Sequence, residues 1–145
     1  MSKIYWVVDA SLALALVLPH PAQKEAEAFW REEAPKGEVW VPRLFAAEVA
    51  SVLRALVFAR RMAQGEAEEL LEILLELPDR FAEDEALALR ALRWAGALGQ
   101  KRAYDAFYVA LAEEKGAQLL TVDLKLAHAL HAQGVPWVRA LGEAV

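Results

Sequence analysis

The sequence predicts an α/β fold, in which short strands alternate along the chain with single helices or helix pairs. Two observations predict it: short runs of apolar residues are separated by amphipathic segments, and these segments are long enough for parallel crossovers. The 145 residues are predicted to form one domain, residues 1–145, because domains contain roughly 100–200 residues. The hydrophobic fraction of 57% is enough for a sizeable core.

The first four predicted elements are a strand, two helices and a second strand. Residues 4–8 are β-branched and aromatic without alternation, which is typical of a strand buried on both faces. Residues 10–18 are predicted to be a short helix that ends before Pro19, and residues 22–33 form a helix with one apolar side. Residues 39–41 are a second short strand, followed by a proline.

Three helices are predicted in the middle of the chain. Residues 44–61 have apolar side chains at spacings of three and four, which is the pattern of a strongly amphipathic helix. Residues 66–77 repeat that pattern and precede a proline. Residues 84–98 are predicted to be a helix with Asp84 as its cap and a glycine after its last residue.

The last third of the chain is predicted to contain two helices and two strands. Residues 104–115 and 124–133 are helices, and each is followed by a glycine. Residues 118–122 are an apolar strand, and residues 136–138 are a last short strand.

Four carboxylates lie where an ordinary fold would have none. Asp9 directly follows the strand at 4–8, and Asp123 follows the strand at 118–122, so both are expected at the carboxyl-end edge of a parallel sheet. Asp105 opens an almost wholly apolar helix, and Glu48 lies inside the apolar stripe of another. Because a buried unpaired charge is unfavourable, these acids predict one shared purpose, which is to bind a hard metal cation.

The absence of cysteine and of clustered histidine favours Mg²⁺ or Mn²⁺ over Zn²⁺ as that cation. Four acids suit one tightly held ion or two, and a two-metal site activates water for phosphodiester cleavage. The four acids contribute −4 of the net charge of −5, so the acidity of the chain does not exclude a phosphate-containing substrate.

Three of the four acids also have a simpler interpretation as helix caps. Asp9, Asp105 and Asp123 each precede or open a predicted helix, where a carboxylate accepts backbone N–H bonds. Glu48 differs, because it lies inside a helix, on the apolar face, where the backbone N–H groups are already bonded within the helix.

Four segments of the sequence resemble the motifs of PIN-domain proteins, in an order and at separations that match the short VapC-type toxins. The resemblance covers essentially the whole chain, and its third and fourth segments are the most specific. The segments are Val-Asp-Ala-Ser at 8–11, Ala-Glu-Val at 47–49, Tyr-Asp-Ala-Phe-Tyr-Val-Ala-Leu-Ala at 104–112 and Leu-Thr-Val-Asp-Leu-Lys-Leu at 120–126.

The resemblance implies a PIN-like domain with a short, mostly parallel sheet flanked by helices. The implied activity is Mg²⁺- or Mn²⁺-dependent endoribonuclease cleavage of single-stranded RNA by metal-activated water. The implied partners are a cognate small antitoxin and a second copy in a homodimer. The implied metal-binding and catalytic residues are Asp9, Glu48, Asp105 and Asp123, with Ser11 and Thr121 as hydroxyl residues near the site.

A nuclease also needs positively charged side chains that bind the phosphates of its substrate. Four basic residues flank the acidic positions in sequence and are candidates for this role, although each also fits a solvated surface charge. These residues are Arg43, Lys101, Arg102 and Lys125.

The high apolar content predicts an interaction surface. The two consecutive amphipathic helices within residues 44–77, together with residues 22–30, are expected to form part of a dimer or antitoxin-binding surface. No apolar run approaches the ~20 residues that span a bilayer, so no membrane association is expected. The absence of cysteine favours a cytoplasmic location.

Two other functions compete with the nuclease. A PIN-like module that binds RNA or a partner without cutting is one, and the full set of four acids argues against it. A haloacid dehalogenase-type phosphatase is the other, but its second acid would stand at position 11, which is Ser11. His128 and His131 lack a third ligand for a metal site, and Tyr104 and Tyr108 are expected to be packing groups.

Overall fold

Five strands form one parallel sheet in the order β3-β2-β1-β4-β5, as seen in a computed structural model that describes residues 3–142. The long crossover connections therefore have the parallel geometry that the sequence predicted. The strands are β1 (Tyr5–Val8), β2 (Glu38–Pro42), β3 (Arg80–Ala82), β4 (Gln118–Thr121) and β5 (Val138–Ala140).

Seven α-helices flank the sheet within the described residues, and every predicted helix is confirmed to within three residues at each end. A short 3₁₀ helix at Ala34–Lys36 precedes β2. The α-helices are α1 (Ala10–Val17), α2 (Gln23–Glu32), α3 (Leu44–Phe58), α4 (Gln64–Glu76), α5 (Asp84–Ala97), α6 (Tyr104–Lys115) and α7 (Leu124–Ala132).

The sequence interpretation was wrong about two edge strands. It missed β3, which has only three residues, begins with an arginine and pairs with β2 alone. It placed the last strand at 136–138, whereas β5 begins at Val138, because Pro136 has no N–H to give to a ladder. Both errors concern three-residue strands, in which propensity carries little signal.

The centre of the sheet and helix α6 form the core that positions the site. Val7 and Val8 on β1 and Leu119 and Leu120 on β4 are fully buried. Helix α6 packs against α5 and the sheet, and its residues 106–112, with the exception of position 107, are inaccessible or nearly so. A helix that is apolar on all sides belongs in such a place, and its first turn is thereby held rigidly against the carboxyl ends of the strands.

The surface differs in one respect from the interaction surface that the sequence predicted. Ala26 and Phe29 of α2 are buried in the core, so that helix does not present its apolar side outward. Val52, which the spacing of three and four places on the apolar face of α3, is 38% exposed. In the described part of the chain, no helix combines the length and the apolar character needed to cross a membrane.

Candidate active site

Asp9 and Asp123 lie at the same edge of the sheet, as their places after strands predicted. Strands β1 and β4 are parallel neighbours in which Val8 is opposite Leu120, so the residues that follow them emerge together. Both aspartates are N-caps: Asp9 accepts a hydrogen bond from Leu12 N at 3.0 Å, and Asp123 accepts one from the amide at 126 at 3.1 Å. The capping interpretation is therefore correct for both, and it is compatible with a second role.

Asp9 is the most deeply buried acid of the site, with 5% of its surface exposed. Its Oδ1 accepts a hydrogen bond from Ser11 Oγ at 2.7 Å, and its Oδ2 accepts one from Thr121 Oγ1 at 2.5 Å. Burial nevertheless raises the pKa of Asp9 to about 6, although the two hydroxyls and the Leu12 amide favour the charged form. The negative charge of Asp105 raises the pKa further.

Ser11 and Thr121 join the two strand ends through one hydroxyl pair. Each hydroxyl has a single proton and donates it to Asp9, while each oxygen accepts a backbone amide. Ser11 Oγ accepts from Val122 N at 3.3 Å, and Thr121 Oγ1 accepts from Asp123 N at 2.9 Å. Both hydroxyl residues that the resemblance implied thus contact Asp9, and they fix its orientation.

Glu48 has a partner that the sequence interpretation missed. The hydroxyl of Tyr108 donates a hydrogen bond of 2.6 Å to Glu48 Oε1. Burial raises the pKa of the Glu48 carboxyl, the Tyr108 bond opposes that rise, and the charges of Asp105 and Asp84 add to it. Tyr108 is 1% exposed and is therefore both a packing group, as predicted, and a donor to the site.

Asp105 connects the other acids electrostatically. It lies in the first turn of α6, and within residues 3–142 its side chain accepts no hydrogen bond. Burial and the charge of Asp123 raise the pKa of Asp105, and the charge of Asp105 in turn raises the pKa values of Asp9 and Glu48. Asp105 is thus close enough to Asp9, Glu48 and Asp123 to interact electrostatically with each of them.

Asp84 is a fifth acid at this edge, and its predicted role was wrong. It does not cap its own helix α5, whose N-cap is Glu83. Its Oδ1 instead accepts a hydrogen bond from Leu44 N at 3.2 Å, at the start of the helix that carries Glu48. The position of Asp84, two residues after β3, indicates that it lies at this edge of the sheet. The sequence interpretation did not use that indication because it missed the strand.

The four acids fit a hard divalent cation by their donor chemistry, since all are carboxylates and each gains from a positive charge nearby. Within residues 3–142, no three Asp, Glu, His or Cys side chains already converge on one point as metal ligands. Asp9 faces its hydroxyl donors and Glu48 faces Tyr108. Each of these two carboxylates therefore has a hydrogen-bonding partner of its own in the protein.

A cleft of about 430 Å³ opens beside the acids, and three of the four candidate basic residues line it. Asp105 and Asp123 line it together with Lys101, Arg102 and Lys125. Arg43 does not line it; it is exposed at the start of α3. A larger cavity of about 760 Å³ lies at the opposite end of the strands, but none of the four acids lines it.

Residues 6–130 match the PIN domain family. The chain is 36% identical over 137 residues to Ribonuclease VapC3 of Pyrobaculum aerophilum, an alignment covering 90% of this chain and 98% of that protein. It is 34% identical over 127 residues to Ribonuclease VapC9 of Mycobacterium tuberculosis, covering 88% of this chain and 92% of the relative.

Solved structures share the fold. The crystal structure of PAE2754 from Pyrobaculum aerophilum has a TM-score of 0.66 at 25% identity and covers 87% of this chain and 79% of that one. The structure of VapBC2 from Rickettsia felis bound to a promoter DNA fragment has a TM-score of 0.68 at 12% identity, covering 95% and 99%. The family match and the relatives above 30% identity together establish that the chain belongs to the PIN-domain family, among the VapC ribonucleases.

Proposed function

We propose that the protein is an endoribonuclease that cleaves single-stranded RNA with the help of one or two Mg²⁺ or Mn²⁺ ions. The observation that carries the proposal is the set of four carboxylates at the carboxyl-end edge of the sheet, where Asp105 interacts electrostatically with the other three, in a chain of the VapC ribonuclease family. Asp9, Glu48, Asp105 and Asp123 would hold the metal. A bound divalent ion would supply an activated water and neutralise the charge that develops on the scissile phosphate.

The residues around the acids prepare them for this chemistry. Ser11 and Thr121 hold both oxygens of Asp9, so that carboxylate is preorganised. Burial raises the pKa values of Glu48 and Asp105, which suits a carboxylate that accepts a proton during the reaction. The cleft beside Asp105 and Asp123 gives a phosphate backbone access to them.

An RNA-cleavage assay tests this function. The protein is stripped of metal with EDTA, and end-labelled single-stranded RNA, duplex RNA and single-stranded DNA are incubated with it before and after addition of Mn²⁺. We expect internal cuts in the single-stranded RNA only, and only after the metal is added. Cleavage that persists in EDTA would contradict the proposed metal dependence, and a complete lack of cleavage would contradict the proposed nuclease activity.

The alternative is a catalytically silent PIN-like module that binds RNA or a partner. The observation in its favour is that no three of the potential ligands in residues 3–142 already converge. The same assay separates the two functions, because a silent module would retard the labelled RNA on a gel without shortening it.

The cations of the cleft are proposed to bind substrate phosphates. Replacement of Lys101, Arg102 and Lys125 by glutamine is expected to raise KM far more than it lowers kcat. For single strands, each lost phosphate contact lowers the dependence of log K on log salt by about 0.7. Binding to an uncleavable RNA at several salt concentrations measures that slope.

The matched control for the cleft cations is the pair Arg60→Gln and Arg61→Gln. These arginines follow the C-terminal end of α3, a helix of 15 residues that is roughly 20 Å long and begins at the site. An equal loss of salt dependence in this control would show that the effect of the cleft cations is not specific to their location.

We also propose a cognate small antitoxin, a homodimer and a cytoplasmic location. Large apolar side chains on α3 and α4 are exposed and suit a protein interface. They are Val52, Phe58, Ile73 and Leu75. A protein that is monomeric by light scattering, and that also fails to bind the product of the neighbouring gene, would contradict this assignment.

A further inference from the structure

Tyr108, on helix α6, directs its hydroxyl at the carboxylates of the site. Its ring is packed in the core with 1% of the residue exposed, and its hydroxyl donates to Glu48 Oε1. Burial raises the pKa of the Tyr108 hydroxyl, and the charges of Glu48, Asp9 and Asp105 raise it further, so the O–H lies near three carboxylates while it bonds to one.

The geometry of α6 explains how the hydroxyl reaches this place. Tyr108 is three residues after Asp105, and residues three apart share one face of a helix. The face that carries Asp105 towards the cleft therefore also carries Tyr108 towards α3. The bond to Glu48 joins two helices that are 60 residues apart in sequence at this position.

Hydrogen bonds fix Glu48 in two places, at the start of its helix and at its carboxylate. The helix that carries it is anchored one turn earlier, where Leu44 N donates to Asp84. Its carboxylate is anchored at Oε1 by Tyr108, while Oε2 accepts no hydrogen bond from the described residues. One oxygen is fixed and the other remains available to a ligand.

Satisfying the tyrosine hydroxyl alone does not require a carboxylate. A neutral acceptor would satisfy it without the unfavourable placement of a charged side chain in a half-buried position. Filling the core alone does not require the hydroxyl, because phenylalanine occupies nearly the same volume. The pairing of a buried tyrosine with a half-buried acid is therefore best explained by a need to orient that acid.

We propose that Tyr108 is a positioning residue, which orients the Glu48 carboxylate so that its second oxygen can bind the divalent cation. This inference rests on the proposed metal site. Partners that orient metal ligands in this way typically contribute between about 10-fold and 100-fold to metal affinity. Tyr108 would act through Glu48 and would not itself touch the metal or the RNA.

The test is a double-mutant cycle read by metal binding. Mn²⁺ is titrated calorimetrically into the metal-free wild type, Tyr108→Phe, Glu48→Gln and the double variant, all without RNA. We expect Tyr108→Phe to weaken Mn²⁺ binding about 10-fold or more in the wild-type background and to have no further effect in the Glu48→Gln background. The matched control is Tyr5→Phe, because the Tyr5 hydroxyl lies at the other end of β1 and forms no hydrogen bond within residues 3–142.

A second readout separates positioning from damage to the fold. Higher Mn²⁺ concentrations are expected to restore the cleavage rate of Tyr108→Phe, whereas a misfolded fraction would not recover. Unchanged Mn²⁺ affinity in Tyr108→Phe, or an equal loss in both backgrounds, would overturn the role of Tyr108 and leave the proposed nuclease intact. Failure of the wild type to bind Mn²⁺ would overturn the metal site itself.

Discussion

Replacing Asp9 with asparagine is expected to reduce RNA cleavage by at least about 100-fold and, at the same time, to stabilise the protein. The loss of activity follows because metal-assisted stabilisation is worth several kcal/mol and each 1.36 kcal/mol is a factor of ten in rate. The asparagine side chain has an NH₂ group in place of one metal-binding oxygen, and it lacks the charge that attracts the cation.

The gain in stability follows from the burial of Asp9. Its pKa is about 6 in the folded protein and 3.8 ordinarily, so at pH 7 the buried charge opposes folding by an amount on the order of 3 kcal/mol. Asparagine can still accept the Leu12 amide bond and the Ser11 hydroxyl bond through its oxygen. A net gain on the order of 2 kcal/mol is expected, with a Tm several degrees higher in EDTA.

Cleavage rate and Tm are measured on the same preparations to check this pair of effects. The matched control is Asp79→Asn, because Asp79 accepts a hydrogen bond from Val39 N at 2.8 Å at the far end of the sheet. That control should keep full activity. If Asp9→Asn cleaves RNA normally, or if it is inactive only because it unfolds, the assignment of Asp9 to the metal site is wrong.

The second large effect is a fall in stability as pH rises from about 4 to 6 in the absence of metal. In that range the folded protein retains a proton on Asp9 that the unfolded chain has released, since the folded pKa is about 6 and the unfolded value is 3.8. The stabilisation is fully present below the unfolded pKa and is lost as pH rises through the folded pKa. Its size is on the order of 3 kcal/mol, and burial of Glu48 and Asp105 acts in the same direction.

Denaturant unfolding in EDTA at several pH values measures this fall. The difference between wild type and Asp9→Asn isolates the contribution of Asp9, because the other titrating groups are common to both. Saturating Mn²⁺ at pH 7 should restore about 2.7 kcal/mol when its concentration is 100 times Kd. A difference that does not change with pH would show that Asp9 is not a buried acid of raised pKa.

Much of the site could be predicted from sequence because its signals are local. Asp9 and Asp123 each follow a short apolar strand, and neighbouring parallel strands bring such residues to one edge without further information. Asp105 is identified by its phase on an apolar helix. Lys101, Arg102 and Lys125 lie within a few residues of these acids, and the same short connections place them in the cleft.

The remaining parts depend on how distant elements pack. The bond from Tyr108 to Glu48 spans 60 residues, and sequence spacing gives no hint that α6 and α3 meet there. The role of Asp84 depends on β3, a three-residue edge strand whose pairing with β2 is set by tertiary context rather than by propensity. Arg43 is only five residues before Glu48 in sequence. Because residues three or four apart share a face of a helix and residues five apart do not, Arg43 does not share the face of Glu48, and it does not line the cleft.

Glu48→Gln gives the most direct test of the claim that these carboxylates hold a catalytic metal. Glutamine can still accept the Tyr108 hydroxyl bond, so the substitution removes the charge and one metal-binding oxygen while it preserves the contact between α3 and α6. The measurement is the single-turnover cleavage rate of single-stranded RNA in Mn²⁺, with Tm recorded in EDTA. The prediction is a rate at least about 100-fold below wild type with no loss of Tm. An undiminished rate in the folded variant would contradict the account.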